Sequence, residues 1–149
     1  MSLIIKYLLA GSRRYTASRA SLAEKITRAL GEGISEVLPS DRFEVRVRSK
    51  VITIAGKEDL SGSSITLATT AIWLLPLPES RRITMIFEGY AKAVQDFVSR
   101  TQKEPWPAPD ADTRMEIVNN AIHVWWGSDS DKDHAVLRMK PISFAEFSI

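Results

Sequence analysis

Three carboxylates at alternate positions, Asp129, Asp131 and Asp133, come nearest to metal chemistry in this chain. Calcium loops open this way because several oxygens must converge on one tight turn. The continuation departs from that pattern. His134 stands where the bend needs glycine, and Lys140 where a bidentate glutamate would close the shell. The stretch is therefore expected to be a solvated hairpin tip whose Ser and Asp supply turn chemistry, and neither a metal nor a cofactor is expected.

Histidine is the next reactive type, and there are two, His123 and His134. They are placed to face each other across a hairpin as a two-histidine site or a pH switch, although no third ligand has convincing spacing. A small enzyme using His123 and a loop carboxylate is the third reading, and paired carboxylates for glycoside chemistry, which need not be close in the chain, are neither favoured nor ruled out. Other chemistry lacks its residues: there is no cysteine for a thiol nucleophile or a zinc knuckle, no G-x-S-x-G elbow, and no phosphate-binding glycine loop. No catalytic residue is assigned.

A basic run is a stronger hint. Arg42, Arg46, Arg48 and Lys50 fall on one face of an alternating stretch, with Glu44 among them, and Arg13, Arg14 and Arg19 extend the set. An exposed sheet face bearing arginines can track phosphates, but this one lacks interleaved aromatics for base stacking. Tryptophan supplies the other notable set. Trp73, Leu75, Leu77, Trp106, Trp125 and Trp126 are the candidate protein-interface residues, because large apolar groups left exposed mark interaction sites and tryptophan is favoured at hot spots. Adjacent Trp125 and Trp126 must point to opposite faces of a strand. One belongs in the core, and the other is expected to be half-exposed unless a helix or a partner covers it.

The elements that must position these residues follow from hydrophobic periodicity. Leu3 to Ala10 reads as a buried strand; as a secretory h-region it has its arginines on the wrong side and no clear cleavage site. A capping box at Ser21-Leu22-Ala23-Glu24 opens a helix with the stripe Leu22, Ile26, Leu30, Ile34, Val37 and Leu38, stopped by Pro39. Phe43, Val45 and Val47 alternate with charged residues as a strand, Val51 to Ala55 returns after a tight turn, and Ile65 to Leu75 is expected as a third strand ending at Pro76 and Pro78. Ile83 to Phe87 reads as a further short strand running into a helix over about Glu88 to Thr101. A proline-rich connector from Glu104 to Asp110 follows, then strands at Met115 to Val118, Ala121 to Trp126 and Ala135 to Met139, with Asn119-Asn120 as a hairpin turn. The tail from Ile142 is a last strand or a short helix.

This string describes a single α+β domain over residues 1–149: a mainly antiparallel sheet of five to seven strands with two main helices on one side. The two halves are faintly alike, with Arg42-Phe43-Glu44-Val45 matching Arg114-Met115-Glu116-Ile117. A chain of 149 residues, 44% hydrophobic and 26% charged, can bury a core without staples. Residues 1–75 carry 11 basic and 7 acidic side chains, and residues 76–149 carry 9 and 11, a mild dipole short of a dedicated nucleic-acid binder. No run reaches the roughly 18 apolar residues of a membrane helix.

The expected function is accordingly a non-enzymatic binding or assembly protein, self-associating or a subunit of a larger complex such as a phage particle, a secretion apparatus or a partner-capping accessory protein. A nucleic-acid-associated protein using the basic strand face is the alternative. The expected partner is protein, with nucleic acid second and no membrane. Absence of cysteine suits a reducing compartment, so a cytoplasmic location, or one within a cytoplasmically assembled particle, is expected.

Overall fold

The computed structural model of the chain describes residues 22–68 and 78–147. The expected strand at Leu3 to Ala10, the arginines Arg13, Arg14 and Arg19, Ser21 of the capping box, and Trp73, Leu75 and Leu77 lie outside the described residues.

Helix α1 occupies residues 22–37 and buries the expected stripe, with Leu22, Ile26, Leu30 and Ile34 almost wholly enclosed. The Thr27 hydroxyl, also buried, donates to the carbonyl of Ala23 at 2.6 Å, so the one polar side chain on this face is satisfied within the helix. Strands β1 (Phe43–Arg48), β2 (Val51–Gly56) and β3 (Ser64–Ala68) form an antiparallel sheet in the order β1-β2-β3. Register pairs Val45 with Ile54 and Val47 with Ile52, so the apolar set shares one face, as period-two alternation requires. A short 3₁₀ turn, Glu58–Leu60, links β2 to β3.

Helix α2 spans Glu79–Gln102. The strand expected at Ile83 to Phe87 is corrected by this: those residues form early turns of α2. Ile83, Ile86, Phe87, Tyr90, Ala91, Val94, Phe97 and Val98 make one continuous buried stripe at helical spacing. A short apolar run has no period of its own, and here the residues on its C-terminal side decide it. The helix ends at Lys103, whose φ of 60° is left-handed and whose N–H bonds back to Ser99.

Strands β4 (Asp112–Val118), β5 (Ala121–Gly127), β6 (Leu137–Arg138) and β7 (Ile142–Ser143) form the second antiparallel sheet, with β5 bonded to the other three. Asn119 and Asn120 turn the β4–β5 hairpin at φ of 51° and 62°, the left-handed conformations that a two-residue turn needs and asparagine tolerates. The tail is both things expected of it: β7, then a 3₁₀ turn over Phe144–Phe147.

Seven strands and two helices make an α+β fold, with the strands divided between two sheets among the described residues. Helix, hairpin, 3₁₀ turn and third strand follow one another in each half in the same order. The halves share one core. Phe43 of the first sheet meets Phe97 of α2 edge to face at 6.0 Å, and Gly33 of α1 lies against the methyl of Met139, beyond β6.

The two glycines of α1 differ in what they face. A Cβ at Gly33 would meet the end of the flexible Met139 side chain, whereas one at Gly31 would meet Val47, β-branched and fixed on β1. Alanine is favoured over glycine within a helix by about 1 kcal/mol. Gly33→Ala is therefore expected to hold or raise the melting temperature and Gly31→Ala to lower it; the reverse order in a thermal melt would contradict this packing.

Candidate binding cleft

Between α2, the connector over residues 103–111 and the start of β4 lies a cleft of about 560 Å³, within the usual size range of ligand sites. Its walls are built by a small polar network. Gln95, on α2, donates from Nε2 to the carbonyls of Trp106, at 3.2 Å, and Ala111, while its Oε1 accepts from the Thr113 hydroxyl at 2.8 Å. One turn on, the Ser99 hydroxyl accepts the N–H of Trp106 at 3.0 Å. The connector, which contains a cis Trp106–Pro107 bond, is thus tied to the helix at both ends of its course. Trp106 closes it from below, its ring 5.4 Å from that of Trp126 and tilted edge to face.

Asp112, Thr113 and Arg114 all line this cleft. Successive side chains of a strand point to opposite faces, and three consecutive residues at the start of β4 border this space, which places it at the strand's edge and N-terminal end. β4 is the terminal strand of its sheet, and among the described residues its backbone bonds only to β5. The cleft therefore lies beside a strand edge that is unpaired among the described residues, with a helix as its opposite wall. Its charges are uneven: Glu88, Asp96, Asp110 and Asp112 against Lys92 and Arg114. Arg114 is engaged with the carbonyls of Gly127 and Ser128 and lies 3.9 Å from Asp112.

The tryptophan candidates within the described residues are all enclosed by their own chain. Trp106, Trp125 and Trp126 are 9%, 3% and 0% exposed, and the half-exposed member expected of the adjacent pair is corrected. Trp126 faces the core. Trp125 faces outward, in register between Arg114 and Arg138, and loop 128–134 folds across that face. Lys132 reaches Glu116 at 3.0 Å, Arg138 lies 3.7 Å from Asp133, and Arg114 bonds the carbonyl of Ser128. Neither indole N–H of the pair has a hydrogen-bond partner among the described residues.

The alternating aspartates shape this loop. Asp129 accepts the N–H of Asp131 and Asp131 that of Asp133, each at 2.9 Å, which caps the 3₁₀ turn Lys132–His134. His134 presents Nδ1 to Asp129 and Asp131, at 3.4 and 3.6 Å. His123 lies on β5 across from Glu116. Among the described residues no three potential ligands converge on a point that would hold a metal.

The basic strand is thinner than its sequence. Arg42 donates to Gln102 at 2.7 Å, and Arg46 pairs with Glu44 at 3.1 Å. Arg46 and Arg48 are exposed and Lys50 half-buried. The neighbouring outward positions on β2 and β3 are Val51, Thr53, Ala55, Ser64, Thr66 and Ala68, with no ring on which a base would stack.

Removing the Gln95 amide leaves two carbonyls and a hydroxyl short of partners. Gln95→Leu is expected to destabilise the fold by about 1–3 kcal/mol in urea unfolding, with an unchanged midpoint as the contrary result. In the loop, the N–H of Asp131 is the main influence holding Asp129 below the usual carboxylate range, with His134 adding to it. A depressed carboxylate contributes its hold above its unfolded value, near about 3.9, and loses it as pH falls through the lower folded value. Acrylamide quenching of Trp125, taken against a Trp125→Phe reference, should rise below about pH 4 before far-UV ellipticity changes. Flat quenching down to the unfolding transition would show that the loop is not held this way.

Among the described residues no helix is long and apolar enough to cross a membrane. No protein-family model, curated protein or solved structure matches the chain, so its function is to be read from the cleft, the strand edges and their charges.

Proposed function

We propose that this chain is a non-enzymatic binding and assembly protein whose partner is another protein, a second copy of itself or a subunit of a larger complex. The observation that carries the reading is the cleft beside β4, bordered by three consecutive residues of an edge that is unpaired among the described residues. Unpaired strand edges are templates for another chain, and an extended segment laid beside one gains main-chain hydrogen bonds while the facing helix contacts its side chains. Charged side chains on β4 (Asp112, Arg114 and Glu116) are the usual guard against indiscriminate pairing, so a partner here is selected by charge.

The histidines support a catalytic reading less well. His134 is turned to the aspartates of its own loop, and the Glu116 carboxylate opposite His123 is taken by Lys132. Among the described residues the nucleic-acid alternative has two exposed arginines, one of them ion-paired, on a face without aromatics.

The test is the absolute mass of the untagged native protein by light scattering on a sizing column, with absorbance at 260 and 280 nm recorded together. A multiple of 16.7 kDa with a protein-like absorbance ratio is the expected result. A monomer at every concentration that forms no cross-link to protein in its native extract would overturn the reading. An excess at 260 nm that disappears in high salt would replace it with the nucleic-acid one.

A further inference from the structure

We infer that the cleft between α2 and β4 receives an extended peptide segment rich in basic side chains, added as a new strand along β4. The inference rests on the binding reading above and names the chemistry of the partner.

Three features of the cleft specify the occupant. The first is shape: the space is bordered by the consecutive residues Asp112, Thr113 and Arg114 at the start of β4, a strand whose outer edge is unpaired among the described residues. An edge strand turns the N–H and C=O of alternate residues outward, and an extended backbone is what completes that ladder. The second is rigidity. The connector is bonded to α2 through Gln95 and Ser99, and Thr113 of β4 is bonded to the same Gln95. Helix and strand are thereby held apart at a fixed spacing, and a guest strand need not organise its own site. The third is charge. Glu88 and Asp96 stand on the helix wall, and Asp110 and Asp112 on the connector and strand wall, both pairs exposed. Of the two cations, Arg114 is committed to the carbonyls of Gly127 and Ser128 and to Asp112. The carboxylates thus outnumber the cations and flank the space from both sides. Side chains at every second position of an inserted strand share one face, so lysine or arginine at those positions would line up against one acidic wall.

The polarity separates this site from the exposed face of the first sheet. The outward face of the first sheet carries Arg46 and Arg48 and would repel the same peptide.

Binding of a fluorescently labelled peptide of alternating lysine and threonine, followed by polarisation at low ionic strength, tests the inference. Two controls accompany it: the same peptide N-methylated at alternate residues, and a glutamate–threonine version. The protein is compared with the double variant Asp96→Asn, Asp112→Asn, whose replaced side chains are both exposed and whose fold is checked by its melting temperature. The expected result is saturable binding of the basic peptide, weakened at least ten-fold by the double variant, lost on N-methylation and absent for the acidic peptide, with amide shifts confined to β4 and the facing turns of α2. Equal binding of the acidic and basic peptides, equal binding to the variant, indifference to N-methylation, or no binding at all would each overturn it. A chain that assembles in the mass measurement and ignores the basic peptide sinks this inference alone, and a chain that does neither sinks the binding reading as well.

Discussion

One carboxamide sets the geometry on which the rest of the candidate site depends. Gln95 projects from the middle of α2, and each end of its amide is used: the nitrogen on two carbonyls of the connector, the oxygen on the hydroxyl of Thr113. A half-buried amide can be satisfied this fully only if helix, connector and strand hold a single relative position. The connector leaves the helix at Lys103, passes beneath the cleft with Trp106 packed on Trp126, and delivers the chain to β4. Without that tie the cleft would be a gap of variable width. With it, a polar helix face and a strand edge become two walls.

The same economy governs the outer face of the second sheet. A tryptophan there would be an exposed apolar group, and the loop after β5 removes it from solvent with ion pairs and a relay of aspartate caps. Exposed pairs of this kind are individually weak, so the cover is held by their number and by local turn geometry. Inside, the indole of Trp126 and the hydroxyl of Tyr90 are buried without partners among the described residues, and burial pushes the Tyr90 phenol up to about 12. The core accepts these two unsatisfied groups in exchange for the ring area that comes with them.

Much of the fold was legible because its signals are local. Alternation placed β1 and β2, an asparagine pair marked the β4–β5 turn, and an i, i+4 stripe drew α1. The start of α2 is not legible locally because Ile83 to Phe87 is a short run without period; its helical character shows only in Tyr90, Val94 and Phe97, which continue the stripe. The second indole of the tryptophan pair was misjudged for a different reason. Opposite faces follow from backbone geometry, whereas cover depends on where a distant loop falls. The cleft was not legible at all. Its residues, from α2, the connector and β4, are polar and unremarkable in order, and they acquire meaning only when Gln95 brings strand and helix together. The proline-rich connector from Glu104 to Asp110 is visible in the sequence, but nothing in its order says that it walls a cleft.

The repeated element order carries a consequence for how the molecule behaves as a whole. Each half has its own helix, hairpin and third strand, which suggests two independent bodies joined in tandem. The packing denies that independence. Phe43 of the first half is completed by Phe97 of the second, and Gly33 of the first makes room for Met139 of the second. Each half thus carries a piece of the other's interior, and severing the chain between Ala68 and Pro78 would leave two fragments with apolar surfaces that only the complementary fragment can fill. The molecule is repetitive in plan and indivisible in thermodynamics, and its halves would be expected to find each other in solution, within one chain or across two.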